Sequence, residues 1–272
     1  MEEKVADVAR DYKTITTAVE EFKQFSLEEF SQVRMLVSSR IFGIAIEGKK
    51  TDALVPLADM LNHKRPQQTA WEYSDKRKGF IIESKENLER GDQVYDSYGK
   101  KCNSRFFLNY GFIVENNDAN EVPIKIVVPE SDPLFTAKSK ILGCIMSKTI
   151  RVSEDLTEQN MVNFFSFLRF AEFQGDPMVL YKYQFQQGPK KKSEDDDYEP
   201  AYQGTNIPPI SIENERQVLN RIGAQSMFLL KRYATSYEED LKILETKKDM
   251  TFNERNCVLM RSGEKKVQRS KT

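Results

Sequence analysis

The sequence predicts an α+β fold, with strands gathered in its first part and helices filling its second. Three observations carry this reading. Short runs rich in β-branched and aromatic residues, separated by polar turns, crowd residues 53–98. Segments with helical spacing dominate after Val122. Capping-box sequences mark helix starts at Ser26, Ser236 and Thr251. At 272 residues the chain is long enough for two domains, each with its own core. They are placed at residues 1–118 and 119–272.

In order, residues 11–25 offer good helix formers with a weak apolar stripe. Ser26-Leu27-Glu28-Glu29 opens a helix to about Ser39, with Leu27, Phe30, Val33, Val37 and Ile41 recurring near helical spacing. Residues 53–57 are short and apolar. Runs 69–73 and 79–84 flank the polar turn Ser74-Asp75-Lys76-Arg77-Lys78, and 93–98 comes after Arg90-Gly91-Asp92. All are expected as short antiparallel strands. Asn103 is placed to cap a brief helix that carries Phe106, Phe107 and Tyr110 and stops at Gly111. One strand is expected at 123–128, then helices near 133–146 and 158–173, the latter with Met161, Phe164, Phe165 and Leu168 on one face. Residues 186–206, with Lys190-Lys191-Lys192 followed by Glu194-Asp195-Asp196-Asp197, have too few apolar groups to offset chain entropy and read as a mobile loop. A long helix from Ser211 and two more after Ser236 and Thr251 complete a second part expected to be all-helical or nearly so. The basic cluster Lys265, Lys266, Arg269 and Lys271 reads as the solvated end of the last helix.

Composition removes several function classes. Lys and Arg number 41 against 42 Asp and Glu, a formal net charge of -1, so no bulk positive field draws the chain to nucleic acid. No apolar run approaches the roughly 20 residues that cross a bilayer, and the first ten residues lack a basic segment followed by an apolar one. The three cysteines, Cys102, Cys144 and Cys257, are isolated, and His63 stands alone. Such spacing supports neither a disulfide framework nor a zinc centre. The expectation is an intracellular protein, cytoplasmic or nuclear, with metal-free chemistry and no membrane or nucleic-acid partner.

Two ordered motifs carry the chemistry: Leu54-Val55-Pro56-Leu57-Ala58-Asp59-Met60-Leu61-Asn62-His63, then Asp96-Ser97-Tyr98-Gly99. Taken singly, Asn-His before a Pro66 turn reads as loop chemistry and Tyr-Gly as the end of a strand. Together and in order they resemble the C-terminal half of a SET-domain methyltransferase. The second part adds Ile210-Ser211-Ile212-Glu213-Asn214-Glu215, Tyr233-Ala234-Thr235-Ser236-Tyr237-Glu238-Glu239-Asp240, Asn253-Glu254-Arg255 and Arg261-Ser262-Gly263-Glu264-Lys265. From about Leu27 to Gly263 the chain is similar to SET proteins of the Rubisco large-subunit methyltransferase type, a group that includes the actin histidine methyltransferase.

This resemblance implies the C-terminal part of a β-rich SET domain followed by a helical substrate-binding domain. It implies S-adenosyl-L-methionine as cofactor and a protein bearing the target lysine as partner. Tyr98 resembles the catalytic tyrosine, whose hydroxyl can orient the acceptor nitrogen. Arg40, Asp59, Asn62, His63, Tyr98 and Phe112 resemble cofactor-binding positions; Asn62 suits the amino-acid end and His63 the adenine. Ser39, Arg40, Phe42, Ala58 and Tyr110 resemble the acceptor side. Without the family, Arg40 reads as an exposed cation at a helix end, and the aromatics read as core. The actin-directed enzyme has Asn and Trp where Phe42 and Ala58 stand, and an apolar wall suits a lysine stem better than an imidazole. Lysine N-methylation is therefore expected. Methylation of actin histidine is one alternative, and a catalytically inactive protein-binding module is another. The family's first strands, with their Gly-x-Gly loop, have no counterpart before Met1, so a partial domain with open strand edges and weak cofactor binding is anticipated.

Overall fold

A computed structural model of the protein describes residues 2–142, 147–155, 157, 159–182 and 207–272. The loop anticipated at 186–206 lies outside them, as do residues 143–146 and Glu158 at the ends of two anticipated helices. The chain divides into two compact units, Met1–Phe112 and Ile113–Thr272.

The first unit opens with helix α1 (Glu2–Ala18), a 3-10 turn (Glu20–Gln24) and helix α2 (Leu27–Ser38). Tyr12 ties α1 to the start of α2: its hydroxyl donates to the Phe25 carbonyl at 2.6 Å, and its ring meets Phe30 at 5.5 Å. The capping box at Ser26 forms, with the Glu29 N–H donating to Ser26 Oγ and the Ser26 N–H to the Glu29 carboxylate. The expected apolar stripe of α2 is not a buried face, since Val33 and Leu36 are both 59% exposed and no residue of the helix is buried. Ile41, assigned to that stripe, belongs instead to a strand.

Strands β1 (Ile41–Ile46) and β2 (Lys49–Leu54) form an antiparallel hairpin. Its two-residue turn places both Glu47 and Gly48 at positive φ, 50° and 75°, the geometry that matches the twist of the flanking strands. The expected 53–57 strand thus ends early, at Leu54. Leu57 lies outside it, at φ 76° and 83% exposed, just before a 3-10 turn at Ala58–Met60.

The next strand, β3 (Asn62–His63), is succeeded by the antiparallel pair β4 (Thr69–Ser74) and β5 (Gly79–Ser84). Strand β6 (Tyr95–Asp96) then pairs with β3, with Asn62 opposite Tyr95 and His63 opposite Asp96. This pair is parallel, which corrects the expectation of antiparallel strands throughout. Parallel pairing requires a long crossover, and the β4–β5 hairpin supplies it. Buried Gln68 fastens the crossover: its carboxamide oxygen accepts from the Tyr95 N–H at 2.7 Å and its main-chain carbonyl from the Lys85 N–H at 2.8 Å.

Helix α3 (Asn103–Tyr110) closes the unit. Its N-cap is Cys102, one residue before the expected Asn103, which is the first helical residue and buried. Gly111 ends it in the left-handed region at φ 78°, its N–H donating to the Phe107 carbonyl.

In the second unit, β7 (Glu121–Val127) alternates buried Val122, Ile124 and Ile126 with exposed residues. After helix α4 (Phe135–Leu142) comes β8 (Ser147–Ser153), which pairs antiparallel with β7, Ile124 opposite Ile150. This strand corrects the nearly all-helical expectation. Its period of two, with Ile150 and Val152 buried, is interleaved with Lys148 and Arg151. Helix α5 (Gln159–Ala171) lays Met161, Phe164 and Leu168 on the sheet, all fully buried, whereas Phe165 is only partly so.

Helices α6 (Ile212–Leu230), α7 (Tyr237–Thr246) and α8 (Phe252–Arg269) complete the unit, with N-caps at Ser211, Ser236 and Thr251. Arg169 of α5 grips Glu215 of α6 through two hydrogen bonds, 2.7 and 2.9 Å. The core runs from Val122 of β7 to Val267 of α8. Lys265 departs from the solvated tail expected of it. It is 1% exposed, and its ammonium donates to Asp240 at 2.5 Å and to Thr235 Oγ1 at 2.9 Å. Burial pushes the Asp240 carboxyl up, but the bonds from Arg261, Lys265 and Thr235 outweigh it and hold the group below its ordinary range.

Candidate active site

A cavity of about 300 Å³ lies within the first unit. The end of α2 brings Ser39 and Arg40 to it, β1 brings Phe42, and the 3-10 turn brings Ala58 and Asp59. Tyr98 and Tyr110 complete that set. Seven of the residues singled out from the sequence thus share one wall. Asn62, His63 and Phe112 do not line it: Asn62 is exposed on β3, while His63 and Phe112 pack behind Tyr98.

Tyr98 is held from two sides. Its hydroxyl donates to the Leu61 carbonyl at 2.6 Å, and its N–H donates to His63 Nδ1 at 3.0 Å. The second bond requires His63 to be neutral at Nδ1. Burial, then the positive charges of Arg65 and Lys101, lowers the His63 pKa and keeps it so. The imidazole also meets buried Phe106 at 4.7 Å and Phe112 at 6.0 Å. Its role in this arrangement is to fix the backbone of Tyr98. Burial, then the charge of Asp96, pushes the Tyr98 phenol up, so it remains a protonated donor near neutrality.

Arg40 is partly exposed, but it is not merely a helix-end cation. Its Nη1 donates to the Asp59 carbonyl at 3.0 Å and to the Asp59 carboxylate at 3.3 Å. The pair fixes the 3-10 turn against the end of α2. Opposite, Phe42 stands edge-on to Trp71 and Phe80, with ring centres 5.2 Å apart in each case, and Trp71 stacks on Phe80 at 5.4 Å.

Among the lining residues not given a site role from the sequence are Trp71 and Asp96. The available signal was weak for both. Trp71 is the chain's one tryptophan, in a strand that reads as ordinary. Asp96 sits two residues before Tyr98, on the period that turns alternate side chains to one face. Asp96 is 3% exposed, it accepts a hydrogen bond from Thr69 Oγ1 at 3.4 Å, and burial pushes its carboxyl up.

A phenol whose proton goes to the Leu61 carbonyl and whose oxygen can accept an N–H, a partly exposed ion pair and an apolar aromatic wall around a small cavity suit the alignment of a nitrogen nucleophile with an activated carbon. Residues 129–267 match the family described as Rubisco LSMT substrate-binding. An actin-histidine N-methyltransferase of Xenopus tropicalis is 30% identical over 221 residues, covering 80% of this chain and 36% of that protein. The Homo sapiens protein of the same description is 26% identical, covering 89% of this chain and 40% of its own length. The chain therefore spans well under half of these relatives. Among solved structures, the SET domain of LSMT bound to lysine and AdoHcy superposes with a TM-score of 0.71 at 20% identity, over 98% of this chain and 60% of that one. Rubisco LSMT bound to AdoMet gives 0.71 at 19% identity, over 99% and 60%. At such identity the structural likeness is one of fold.

Proposed function

The chain belongs to the Rubisco LSMT substrate-binding family, and on that premise we propose that the protein serves S-adenosylmethionine-dependent N-methylation of a side chain on another protein. The observation that carries the reading is the placement of Tyr98, its phenol anchored at the wall of a cavity shared with Arg40, Asp59, Phe42 and Tyr110. At about 300 Å³ the cavity is small for a whole ligand. Its size and lining fit the reacting end of the cofactor together with an acceptor stem. Arg40, Asp59 and Tyr98, which line the cavity, would hold the reacting end of the cofactor and Asn62, exposed beside it on β3, the amino-acid end, while His63 and Phe112 act from behind Tyr98. Bound S-adenosylmethionine supplies a methyl group already activated by positive sulfur.

The chain itself contributes alignment and exclusion of water. Tyr98 directs the lone pair of the acceptor nitrogen through its hydroxyl. Phe42, Ala58 and Tyr110 enclose the acceptor's apolar stem, and Ser39 borders the entrance. The Arg40–Asp59 pair keeps the turn that carries Ala58 in place.

Lysine is the acceptor this lining favours. Phe42 offers no hydrogen bond to an imidazole, and its contact with Trp71 and Phe80 makes an apolar trough suited to methylenes. Histidine is the second reading, favoured by the relatives described as actin-histidine N-methyltransferases.

Isothermal titration of S-adenosylmethionine into the purified 272-residue protein tests the proposal, with Tyr98→Phe and Asn62→Ala alongside. Binding kept by Tyr98→Phe and lost by Asn62→Ala is expected, with methyl transfer to a protein acceptor abolished in Tyr98→Phe. A folded protein that gives neither heat nor thermal stabilisation would overturn cofactor binding by this chain alone and leave it as either part of an enzyme or a protein-binding module.

A further inference from the structure

Asp96 has a part that the family motifs do not give it. Five ionisable side chains line the cavity: Arg40, Asp59, Asp96, Tyr98 and Tyr110. Arg40 and Asp59 pair with each other, and the tyrosines are neutral near pH 7. The carboxylate of Asp96 is the charge left over. Thr69 Oγ1 donates to it at 3.4 Å, and Arg40, the cation among the cavity's lining residues, is taken up by Asp59. A carboxylate offers about four lone-pair positions, so this contact leaves room for further donors. Burying a carboxylate without a cation is costly, and a cation with good donors offsets that cost.

The aromatic side of the cavity has the same preference. Trp71 presents an indole braced by Phe80 and Phe42, and cations within about 6 Å of such a ring are attracted to its face. Trp71 and Asp96 both line the cavity, so the carboxylate and the ring that would read a cation belong to one space.

We propose that Asp96 is a specificity-determining residue that, with Trp71, selects a primary alkylammonium side chain for this cavity. The acceptor class is therefore lysine rather than histidine. The assignment rests on the methyltransferase reading above for its purpose, but not for its binding chemistry. An ammonium brings a full charge and three N–H donors to Asp96, whereas a neutral imidazole brings one donor and no charge. Burial raises the Asp96 carboxyl above its ordinary range, and an adjacent ammonium would reverse that shift.

Because Trp71 is the only tryptophan, its fluorescence reports on the cavity directly. The test titrates the cofactor-free protein with n-butylammonium, with n-butanol of similar shape, with trimethylsulfonium, and with 4-methylimidazole at a pH where its ring is neutral. Wild type should bind n-butylammonium saturably and in preference to the other three. Asp96→Asn, which keeps the shape and an acceptor oxygen for Thr69, should weaken that binding at least tenfold while circular dichroism shows it folded. Equal binding of n-butylammonium by Asp96→Asn overturns the assignment. So does wild type binding n-butanol or 4-methylimidazole as tightly, or trimethylsulfonium as tightly, which would turn Asp96 toward a sulfonium. If Asp96→Asn does not fold, the wild-type ranking of the four probes decides alone. No cofactor is present, so a failure here leaves the S-adenosylmethionine titration standing, and a failed cofactor titration leaves the ranking intact.

Discussion

His63 shows how one side chain can hold a reactive one without touching substrate. Its Nδ1 accepts the Tyr98 N–H only while neutral, and burial with nearby Arg65 and Lys101 lowers its pKa in the folded protein. The unfolded value is about 6.5. The stability this adds is therefore fully present above that pH and is lost as pH falls through the folded value. Urea midpoints should drop as pH falls below about 6.5, and a His63→Gln variant should lose that part of the dependence. The single histidine makes the folded pKa readable by NMR from one imidazole. Tyr98→Phe removes only the 2.6 Å bond to the Leu61 carbonyl. It should cost about 1 kcal/mol in chemical denaturation, small beside its effect on transfer. Tyr98 itself is legible in the sequence. Its fastening to His63, 35 residues away, is not, since nothing local announces that an imidazole will meet a backbone N–H.

Among the helices, local signals translate directly where the partner groups are close in sequence. The capping boxes at Ser26, Ser236 and Thr251 form as their residues dictate. Ser236→Ala should lower stability by about 1 kcal/mol by leaving the Glu239 N–H without its acceptor. The link between α7 and α8 is not local. Asp240, fully buried, accepts from Arg261, Lys265 and Thr235. Asp240→Ala would strand the Lys265 ammonium in the interior, so its loss should be about 3–5 kcal/mol in urea unfolding, several times that of the cap. The strands were harder to read. Lys148 and Arg151 mask the period of β8, and the β1–β2 hairpin turns on Glu47-Gly48, where Glu is an unusual choice for a positive φ.

At the scale of the molecule, apolar burial is uneven. The large buried cluster, from Val122 to Val267, belongs wholly to the second unit. The first unit buries few large apolar groups, among them Ile44 and Phe106, and exposes Val33, Leu36, Leu54 and Met60. Amide exchange should therefore be slowest in β7, β8 and α5 and fast through α2 and β2. Equal protection in the two units would contradict this. The two-part α+β layout is visible from the pattern of apolar residues alone. The cavity is only partly visible, because Trp71 reaches it through the β3–β6 crossover and Asp96, although it opens the Asp96-Ser97-Tyr98-Gly99 motif, carries no role that the motif announces. The second unit also joins its earliest strand to its last helix, with Val122 of β7 and Val267 of α8 in one core. A ribosome delivers these two segments far apart in time. β8 and α5 can cover much of β7 early, but its packing against α8 must wait until almost the whole unit has been made, and for that interval the nascent chain depends on whatever shields the remainder from its neighbours.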